Sequence, residues 1–309
     1  MTIKLVNSSA WKYTALAVFL FSASLFISCE KEIKLNLSTG DPALVVEGQI
    51  ETGLPPFVMI TKTFGFFSKV DLATLEGSFV HDALVTITDG SILDTLREYT
   101  LDSSGVKFSF YSIDTATLSN AILQGEVDKN YTLSISYGGK TYQATTKIPN
   151  VIPVDSFYAD TVLPFRFPNT PTDAVALYIN VKDPDTIGNY IRYYTKRNDE
   201  PYYPVDVVTA EDFGANGTYL RKIGIGFGYP RSVPDSSASV YPIKGDSITL
   251  KWCAIDKQVY DFWRTYSFAI NVVGNPFASP TNIPSNFSNG ALGVWAGYGS
   301  STIAIQEYR

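Results

Sequence analysis

The sequence predicts a mainly β protein, built from two antiparallel β-sandwich-like domains with one amphipathic helix near residues 256–273. Composition is the first observation behind this fold class. The chain has 20 Tyr, 19 Phe, 22 Gly and 17 Pro but only two Met, and aromatic residues favour strands. The second observation is patterning, because short runs of alternating apolar and polar residues follow one another with turn residues between them. This order favours antiparallel sheets over a βαβ arrangement.

Residues 1–28 precede the predicted fold and have the composition of a secretory signal. They carry two charges, Lys4 and Lys12, and an apolar run that extends from Thr14 to Ile27. A basic start, an apolar run of about 7–15 residues and a small final residue make a signal peptide. A membrane-spanning helix needs about 20 apolar residues, so a permanent span is the weaker interpretation. We expect residues 1–28 to be removed and residues 29–41 to form a polar tether.

Cys29 directly follows the apolar run, and Ser28-Cys29 resembles a bacterial lipobox, the site where a diacylglycerol is joined to the cysteine. The match departs from the family pattern at Phe26, where Leu is preferred. An ordinary signal peptide cut elsewhere, with Cys29 incidental, is the alternative. The position of the cysteine favours lipid attachment, and each buried CH₂ of an acyl chain stabilises membrane binding by about 0.8 kcal/mol. Glu30-Lys31-Glu32 resembles the short acidic tag that routes some lipoproteins to the outer face of the outer membrane.

The charge and the cysteine content of the mature chain argue against nucleic-acid binding and against an intramolecular disulfide. Removal of residues 1–28 leaves 22 basic and 30 acidic residues, a net charge of −8. No basic block is present, so nucleic acid is not an expected partner. Cys253 is the single cysteine besides Cys29, so no intramolecular disulfide is available once Cys29 is acylated. We expect Cys253 to be buried in a strand.

The N-terminal domain is predicted to span residues 42–150. Its strand candidates begin with Leu44–Ile50 and Phe57–Thr63, followed by a long connection over 64–80. A third strand, Ala83–Thr88, ends at the turn residues Asp89-Gly90. The clearest hairpin follows, because Tyr131–Tyr137 alternates with period two, Gly138-Gly139 can turn, and Lys140–Lys147 runs back. Ile148–Pro153 contains two prolines and marks the domain boundary.

The second domain is predicted to span residues 151–309. Its strand candidates are Val175–Val181, Tyr190–Thr195 and Ile248–Trp252. A loop rich in Tyr and Pro, Pro201–Pro204, lies between the last two. Glycine-rich closing strands are expected between Asn289 and Ile305, where glycines let backbones approach closely.

One segment of the second domain has helical rather than strand periodicity. Apolar residues recur on one face of a helix that starts at the N-cap Asp256 and stops at Gly274 and Pro276. We expect this helix to pack on the second sheet. The residues of that face are Val259, Phe262, Trp263, Tyr266, Ile270 and Val273.

Several short motifs in these segments also occur together in a known family. They are Leu44-Val-Val-Glu-Gly48, Ala83-Leu-Val-Thr-Ile-Thr-Asp89, Tyr131-Thr-Leu133, Gly139-Lys-Thr-Tyr-Gln-Ala144, Ile148-Pro149, Asp183-Pro184, Gly188-Asn-Tyr190 and Asn289-Gly-Ala-Leu-Gly-Val-Trp295. With these motifs the chain resembles the Bacteroidota lipoprotein family catalogued as domain of unknown function four-two-four-nine. The resemblance spans the mature chain and implies an outer-membrane lipoprotein commonly encoded beside a TonB-dependent receptor, the barrel that imports large nutrients. The family has no established catalytic residues to carry over.

Catalytic and metal-binding chemistry has little support in the sequence. The single histidine, His81, would have to serve any Ser-His-Asp triad, and its place before a strand favours a loop position instead. No zinc-binding motif is present. Asp183, Asp185 and Asn189 could bind Ca²⁺, although turn chemistry around Asp-Pro is the favoured interpretation. We therefore expect no enzyme activity, no cofactor and no metal.

Aromatic residues in loops are the sequence's hint of a binding surface. They could form a stacking platform for a sugar ring or for a partner protein, although many aromatics of this chain must belong to the core. The candidates are Tyr193, Tyr194, Tyr202 and Tyr203, with Phe64, Phe66 and Phe67.

The expected function is that of a lipid-anchored accessory protein of a TonB-dependent receptor, at the outer membrane and facing either the surface or the periplasm. An immunoglobulin- or transthyretin-like N-terminal domain would act as a stalk, and the second domain would carry the contact surface for the receptor. The alternative is a surface adhesin or glycan-binding module, with a glycan or peptide ligand, that works without a transporter.

Overall fold

The described part of the chain folds mainly into β-strands, as predicted. The computed structural model describes residues 42–65, 69, 71–103, 105–114, 122–161, 171–182, 188–205, 209–210, 218–225, 241–273, 275, 277, 279 and 281–308. The signal, Cys29 and the tether lie outside these residues. The helices among these residues are α1 (Leu72–Glu76) and α2 (Lys257–Asn271). The strands are β1 (Leu44–Glu51), β2 (Phe57–Lys62), β3 (Leu84–Thr88), β4 (Leu93–Ser103), β5 (Val106–Ile113), β6 (Asn130–Tyr137), β7 (Lys140–Lys147), β8 (Val154–Asp160), β9 (Ala176–Lys182), β10 (Tyr190–Arg197), β11 (Tyr203–Pro204), β12 (Thr209–Ala210), β13 (Thr218–Ile223), β14 (Ile248–Ile255), β15 (Leu292–Ala304) and β16 (Glu307–Tyr308).

The described strands form two sheets, which is consistent with a β-sandwich-like fold. The larger sheet has the order β11-β10-β14-β15-β1-β2-β5-β4-β3-β6-β7, with β12 paired to β10. The smaller sheet has the order β13-β9-β8-β16. The smaller sheet packs on the β10–β14 end of the larger one, because the apolar side chains of β8, β9 and β13 share a core with those of β10 and β14.

The predicted hairpin is confirmed residue by residue. β6 pairs antiparallel with β7, and Tyr137 faces Lys140 across the two-residue turn. Gly138 and Gly139 have φ values of 59° and 74°, the positive values that such a turn requires. The alternate residues Tyr131, Leu133 and Ile135 of β6 are buried in the first core.

Helix α1 lies in the connection over residues 64–80, where no helix was predicted. It has five residues, and none of its side chains is buried. A helix without a buried face leaves no apolar periodicity in the sequence, which explains the omission. Asp71 caps it, because its side chain accepts a hydrogen bond from the Thr74 N–H at 2.9 Å.

β15 differs from the expectation of antiparallel sheets. It pairs antiparallel with β14 but parallel with β1, from Val45–Leu292 to Glu51–Tyr298, and β16 pairs parallel with β8. Parallel neighbours need a long crossover connection, and most of the chain separates β1 from β15. The expectation of purely antiparallel pairing is therefore wrong at these two pairs, because local turn signals cannot report pairings between distant segments.

The glycines of β15 allow close backbone contact, as predicted. A Cβ on Gly293 would lie 1.9 Å from the Val46 carbonyl oxygen, and one on Gly299 would lie 2.0 Å from that of Pro149. The indole of Trp295 is buried and its Nε1 donates to the Tyr131 carbonyl at 2.9 Å. β15 therefore lies between β1, which precedes residue 150 in the chain, and β14, which follows it, and places both in one sheet.

The buried apolar residues form separate clusters. The boundary between the chain segments that supply the first and the second cluster falls near residue 150. The first cluster contains buried residues between Leu44 and Ile148, together with Phe287, Ala291 and Trp295. The second contains buried residues between Ile152 and Ala254. A third, under α2, includes Cys253, whose thiol is buried as expected. The division of the chain into two domains stays a prediction, because β15 connects both parts.

Helix α2 begins where the sequence predicts. The Asp256 carboxylate accepts from the Val259 N–H at 2.9 Å, and its second oxygen accepts from Thr146 Oγ1 at 2.9 Å. The helix ends at Asn271, before Gly274 and Pro276, which lie outside the described residues. No helix of the described residues is long and apolar enough to cross a membrane.

Candidate functional site

The two adjacent tyrosines of the predicted aromatic platform lie on opposite faces of β10, because successive strand residues point to opposite sides. Tyr193 is buried against Trp252, with ring centroids 5.6 Å apart. Its hydroxyl accepts from the Gly224 N–H at 3.1 Å, and burial raises the pKa of the phenol. Tyr193 is therefore a core residue, while Tyr194 faces the side of the sheet that α2 covers.

Tyr194 and Tyr202 meet at Lys251, which the sequence analysis did not single out. The Lys251 Nζ lies 4.8 Å from the Tyr194 ring centroid and 5.4 Å from that of Tyr202. Lys251 faces Tyr194 directly across the β10–β14 ladder. Tyr202 is exposed, whereas Tyr194 and Tyr203 are half-buried, so Tyr202 is the most solvent-accessible of these three tyrosines.

Lys251 is held in its cationic form by an acid from a strand on the far side of β15. Its Nζ is 2.9 Å from Glu51 Oε2, and both side chains are largely buried. Burial alone would lower the pKa of Lys251, but the charge and hydrogen bond of Glu51 outweigh it and raise the pKa. The pair fixes a positive charge under the two tyrosine rings, and this arrangement suits cation–π attraction.

Arg192 extends the same group of side chains to helix α2. Its guanidinium lies 3.7 Å from the Trp263 ring centroid, and its Nε donates to the Tyr194 hydroxyl at 3.0 Å. The Trp263 Nε1 donates in turn to the Tyr298 hydroxyl at 3.0 Å. We call Arg192, Tyr194, Tyr202, Lys251 and Trp263 the aromatic–cation cluster.

The cluster contains residues that periodicity could have indicated. Arg192 and Tyr194 are two apart in a strand and so share a face. Trp263 was placed on the apolar face of the helix, but its contact with a cation was not foreseen. The sequence did not indicate a role for Lys251, because a lone lysine in a strand is usually solvated. Its partner Glu51 is 200 residues away in sequence.

Of the remaining predicted site residues, two are described by the structure and the others lie outside the described part of the chain. Phe64 is exposed, with 38% of its surface accessible. Phe66, Phe67, Asp183 and Asp185 lie outside the described residues, and so do the platform and calcium predictions that depend on them. Asn189 is described and lines a cleft. Among the described residues, no three His, Cys, Asp or Glu side chains are grouped as metal ligands.

His81 and Cys253 are two described side chains whose types often serve in acid–base or nucleophilic chemistry. His81 is exposed, and its Nδ1 lies 2.5 Å from Glu98 Oε1. The Cys253 thiol is buried, and burial raises its pKa to about 12. A thiol with so high a pKa stays protonated at neutral pH and is not a nucleophile, because the thiolate is the reactive form.

A cleft of about 650 Å³ lies beside the proline-marked connection between β7 and β8. Its wall includes Asp128, whose carboxylate is 2.6 Å from Lys147 Nζ and accepts from Asn150 Nδ2 at 3.0 Å. These two partners lower the pKa of Asp128. Tyr190 also lines the cleft, and its ring stacks on Tyr260 of α2 with a centroid distance of 4.7 Å.

The C-terminal half of α2 and the described residues that follow it expose several apolar side chains. The helix buries Val259 and Tyr260, and Phe262 and Trp263 pack partly on the third core cluster. Beyond Trp263 the predicted packing on the sheet is wrong, because the apolar side chains are exposed. We call these side chains the apolar tip, which consists of Tyr266 (40% exposed), Phe268 (56%), Ile270 (49%), Val273 (81%) and Phe277 (94%).

Comparison with known proteins matches a family model to most of the chain. A family model described as "Domain of unknown function (DUF4249)" matches residues 30–304. No curated protein matches. Among solved structures, the chain is similar to a DUF4785 family protein from Legionella pneumophila subsp. pneumophila, with 9% identity and a TM-score of 0.21. That likeness covers 68% of this chain and about half (52%) of the other, and it is too weak to support an inference.

Proposed function

Starting from the membership of this chain in the DUF4249 family, whose function is unknown, we propose that it is a lipid-anchored accessory protein of the outer membrane. It binds a TonB-dependent receptor without catalysing a reaction. The observation that carries this proposal is the position of Cys29, directly after an apolar run of signal-peptide length. A lipid on Cys29 would hold the domain at the membrane where such a receptor lies.

The chemistry of the described site supports binding rather than catalysis. The charges of the aromatic–cation cluster are already engaged, since Lys251 contacts Glu51 and Arg192 contacts Trp263 and Tyr194. A general acid or base must be able to exchange a proton near neutral pH. Burial holds the Cys253 thiol far from that range, and the pKa of Lys251 is raised further from it. Lys251, Arg192 and Cys253 therefore stabilise the packing around them and do not transfer protons.

Co-purification tests the proposal directly. The tagged chain and a candidate TonB-dependent receptor are expressed together, and outer membranes are solubilised in mild detergent. The wild-type chain is expected to bring the receptor with it. The Cys29→Ser variant, which cannot be acylated, is expected to leave the membrane fraction and to lose the receptor. A wild-type chain that elutes from solubilised outer membranes without the receptor would count against the proposal.

A glycan-binding module that works without a transporter is the second candidate, and the cleft beside β7 favours it. Tyr190 offers a ring, and Asp128 and Asn150 offer the oxygen and amide groups that sugar hydroxyls bind. A glycan array probed with the chain from Glu30 onward separates the two functions. Binding that Asn150→Ala weakens, in a chain that brings down no receptor, supports the module.

A further inference from the structure

We propose that Arg192 of the aromatic–cation cluster is the anchor of a ligand site that takes a carboxylate. The acidic group of the ligand lies against the open edge of the guanidinium, where the two Nη atoms are. Such a site is independent of the receptor partnership in the proposed function. The observation that carries it is a buried cation with no counter-ion in contact among the described residues.

Arg192 differs in this respect from the other buried charges of the described chain. Three charged residues in that part of the chain are buried, namely Glu51, Arg192 and Asp246. Glu51 Oε2 lies 2.9 Å from Lys251 Nζ, and Asp246 Oδ2 lies 2.7 Å from Arg197 Nε. Arg192 is 7% exposed, yet no carboxylate of the described residues lies within 4.0 Å of its nitrogens. Buried charges are normally paired, because desolvation of an isolated ion is costly.

The hydrogen-bond donors of Arg192 are also mostly unused. A guanidinium carries five N–H donors in a planar fork. The Nε–H donates to the Tyr194 hydroxyl at 3.0 Å, and the guanidinium carbon lies 3.7 Å from the Trp263 ring centroid. No described residue accepts a hydrogen bond from Nη1 or Nη2, so the N–H groups of that edge are unpaired within the described chain. This edge is therefore the part of the side chain that a ligand can bind.

The open edge of Arg192 reaches solvent. Among the described residues, the side-chain nitrogen that is fully enclosed and has no partner is Trp252 Nε1, and the Nη atoms of Arg192 are not enclosed in this way. Tyr194 and Trp263 beside the guanidinium are half-buried. Water can therefore occupy this edge, and a ligand acceptor that reproduces its hydrogen bonds can replace it.

The charge balance around Arg192 indicates an anion with a single charge. Lys251 is neutralised by Glu51 and adds no net charge. A phosphate monoester carries about −1.5 to −2 charges at pH 7, and it would meet a single uncompensated cation. A carboxylate carries one negative charge, and its two oxygens match the two Nη atoms of a planar guanidinium. The site is therefore better matched to a carboxylate.

Glu47 of β1 is the internal alternative to a carboxylate from a ligand. It is exposed, and its carboxylate makes no ion pair or hydrogen bond with a described residue. β14 and β15 lie between β10 and β1, and three spacings of about 4.8 Å put the two backbones about 14 Å apart. Desolvation raises the pKa of Glu47 and the charge of Arg192 partly opposes this. The two groups therefore sense each other without contact.

The two alternatives predict opposite effects of Glu47→Gln. If Glu47 is the counter-ion of Arg192 in solution, its neutral replacement leaves the cation alone and lowers the melting temperature. If a ligand supplies the carboxylate, Glu47 is a competing negative charge, and its removal strengthens binding of the acid. Glu47 is exposed, so this variant is expected to fold.

The test is isothermal titration calorimetry of the lipidated chain in detergent at pH 7, with two acids and their neutral counterparts as probes. Galacturonic acid is compared with galactose, and N-acetylalanine with N-acetylalaninamide. The acids carry the same group on a sugar and on a peptide end. Each acid that binds is expected to bind at least about tenfold more tightly than its neutral counterpart, because hydrogen bonds to charged groups are the stronger ones.

Three arginine variants locate the binding. Arg192→Gln removes the cation and is expected to abolish the preference for the acid. Arg192→Lys keeps the charge but lacks the planar fork, and is expected to weaken binding of the acid by about tenfold. Arg97→Gln is the matched control and is expected to change nothing. Arg97 also lies over a ring, 5.8 Å from the Tyr99 centroid, but it is exposed and 3.3 Å from Asp114 Oδ1.

The outcomes decide the proposal. Binding of either acid that Arg192→Gln abolishes, Arg97→Gln preserves and Glu47→Gln strengthens supports it, and the acid that binds identifies the source of the carboxylate as a sugar or a peptide end. Absence of binding by both acids overturns it, and so does binding that Arg192→Gln leaves unchanged. If Arg192→Gln does not fold, Glu47→Gln decides, since weaker or unchanged binding overturns the proposal. Receptor recovery is measured separately, so the proposed function can fail or stand on its own.

Discussion

Gly293 is a residue at which the fold depends on the absence of a side chain. Its φ is 104°, and a Cβ would lie 1.9 Å from the Val46 carbonyl oxygen of the neighbouring strand. Gly245 has nearly the same φ, 102°, but nothing lies within 4 Å of its virtual Cβ. The two glycines therefore separate the cost of a positive φ from the cost of a steric clash.

Gly293→Ala is expected to destabilise the protein by more than about 3 kcal/mol, because it adds a backbone clash to the strain of a positive φ. Gly245→Ala is expected to cost about 1–2 kcal/mol, the strain alone. Urea unfolding followed by tryptophan fluorescence measures both. Equal losses for the two variants would show that β15 does not lie as close to β1 as the structure places it.

Asp89 stabilises the turn after β3 through its charge, and this contribution depends on pH. Its carboxylate accepts from the Ile92 and Ser91 N–H groups at 2.8 and 2.9 Å, and these bonds, with Lys129, lower its pKa. A lowered pKa in the folded state gives stability that is present above the unfolded-state pKa of about 3.9. That stability is lost as the pH falls through the folded-state pKa.

Asp89→Asn is expected to lower the free energy of unfolding by about 1 kcal/mol at pH 7, since hydrogen bonds to a charged acceptor are the stronger ones. The difference from wild type is expected to shrink as the pH falls below about 4 and the wild-type carboxyl group protonates. Thermal melts at several pH values check this. A difference that stays constant down to pH 3 would contradict the role of the charge.

Periodicity predicted that Tyr193 and Tyr194 belong to a strand, but it could not say which of them faces the core. Both sides of β10 are covered, by the smaller sheet and by α2. A strand covered on both faces has no polar side to reveal its orientation. The assignment of Tyr193 to the core and Tyr194 to the aromatic–cation cluster therefore required the topology.

At the scale of elements, helix α2 was the most predictable part of the second half of the chain. Its N-cap and the apolar face of its first two turns follow from local sequence signals. Periodicity shows which side chains share a face but not how far the covering sheet extends. The exposure of the apolar tip was for this reason not predictable, although Tyr266, Ile270 and Val273 belong to the predicted apolar face.

Asp256→Ala is expected to lower the free energy of unfolding by about 2 kcal/mol. It removes the cap bond to the Val259 N–H and the bond from Thr146 of β7. Asp71→Ala removes the corresponding cap of α1, a short exposed helix with no buried residue, and is expected to cost less. Chemical denaturation compares the two variants. An equal or larger loss for Asp71→Ala would contradict the role of Asp256 in fastening α2 to β7.

At the scale of the whole molecule, β15 connects the strands that precede residue 150 with those that follow it. The mainly β class, the hairpin β6–β7 and the change of core near residue 150 were accessible from alternation and turn residues. The parallel pair β1–β15 and the Lys251–Glu51 contact were not. Both join segments that are far apart in sequence, and their side chains acquire partners only when the sheet is complete.

The proposed function requires attachment of the chain to a membrane through Cys29. Mass spectrometry of the N-terminal peptide, prepared from the membrane fraction of cells that express the full chain, tests this most directly. We expect a peptide that begins at Cys29 and carries a diacylglycerol on its sulfur. An unmodified Cys29, in a chain that retains residues 1–28 and is recovered from the cytosol, would contradict it.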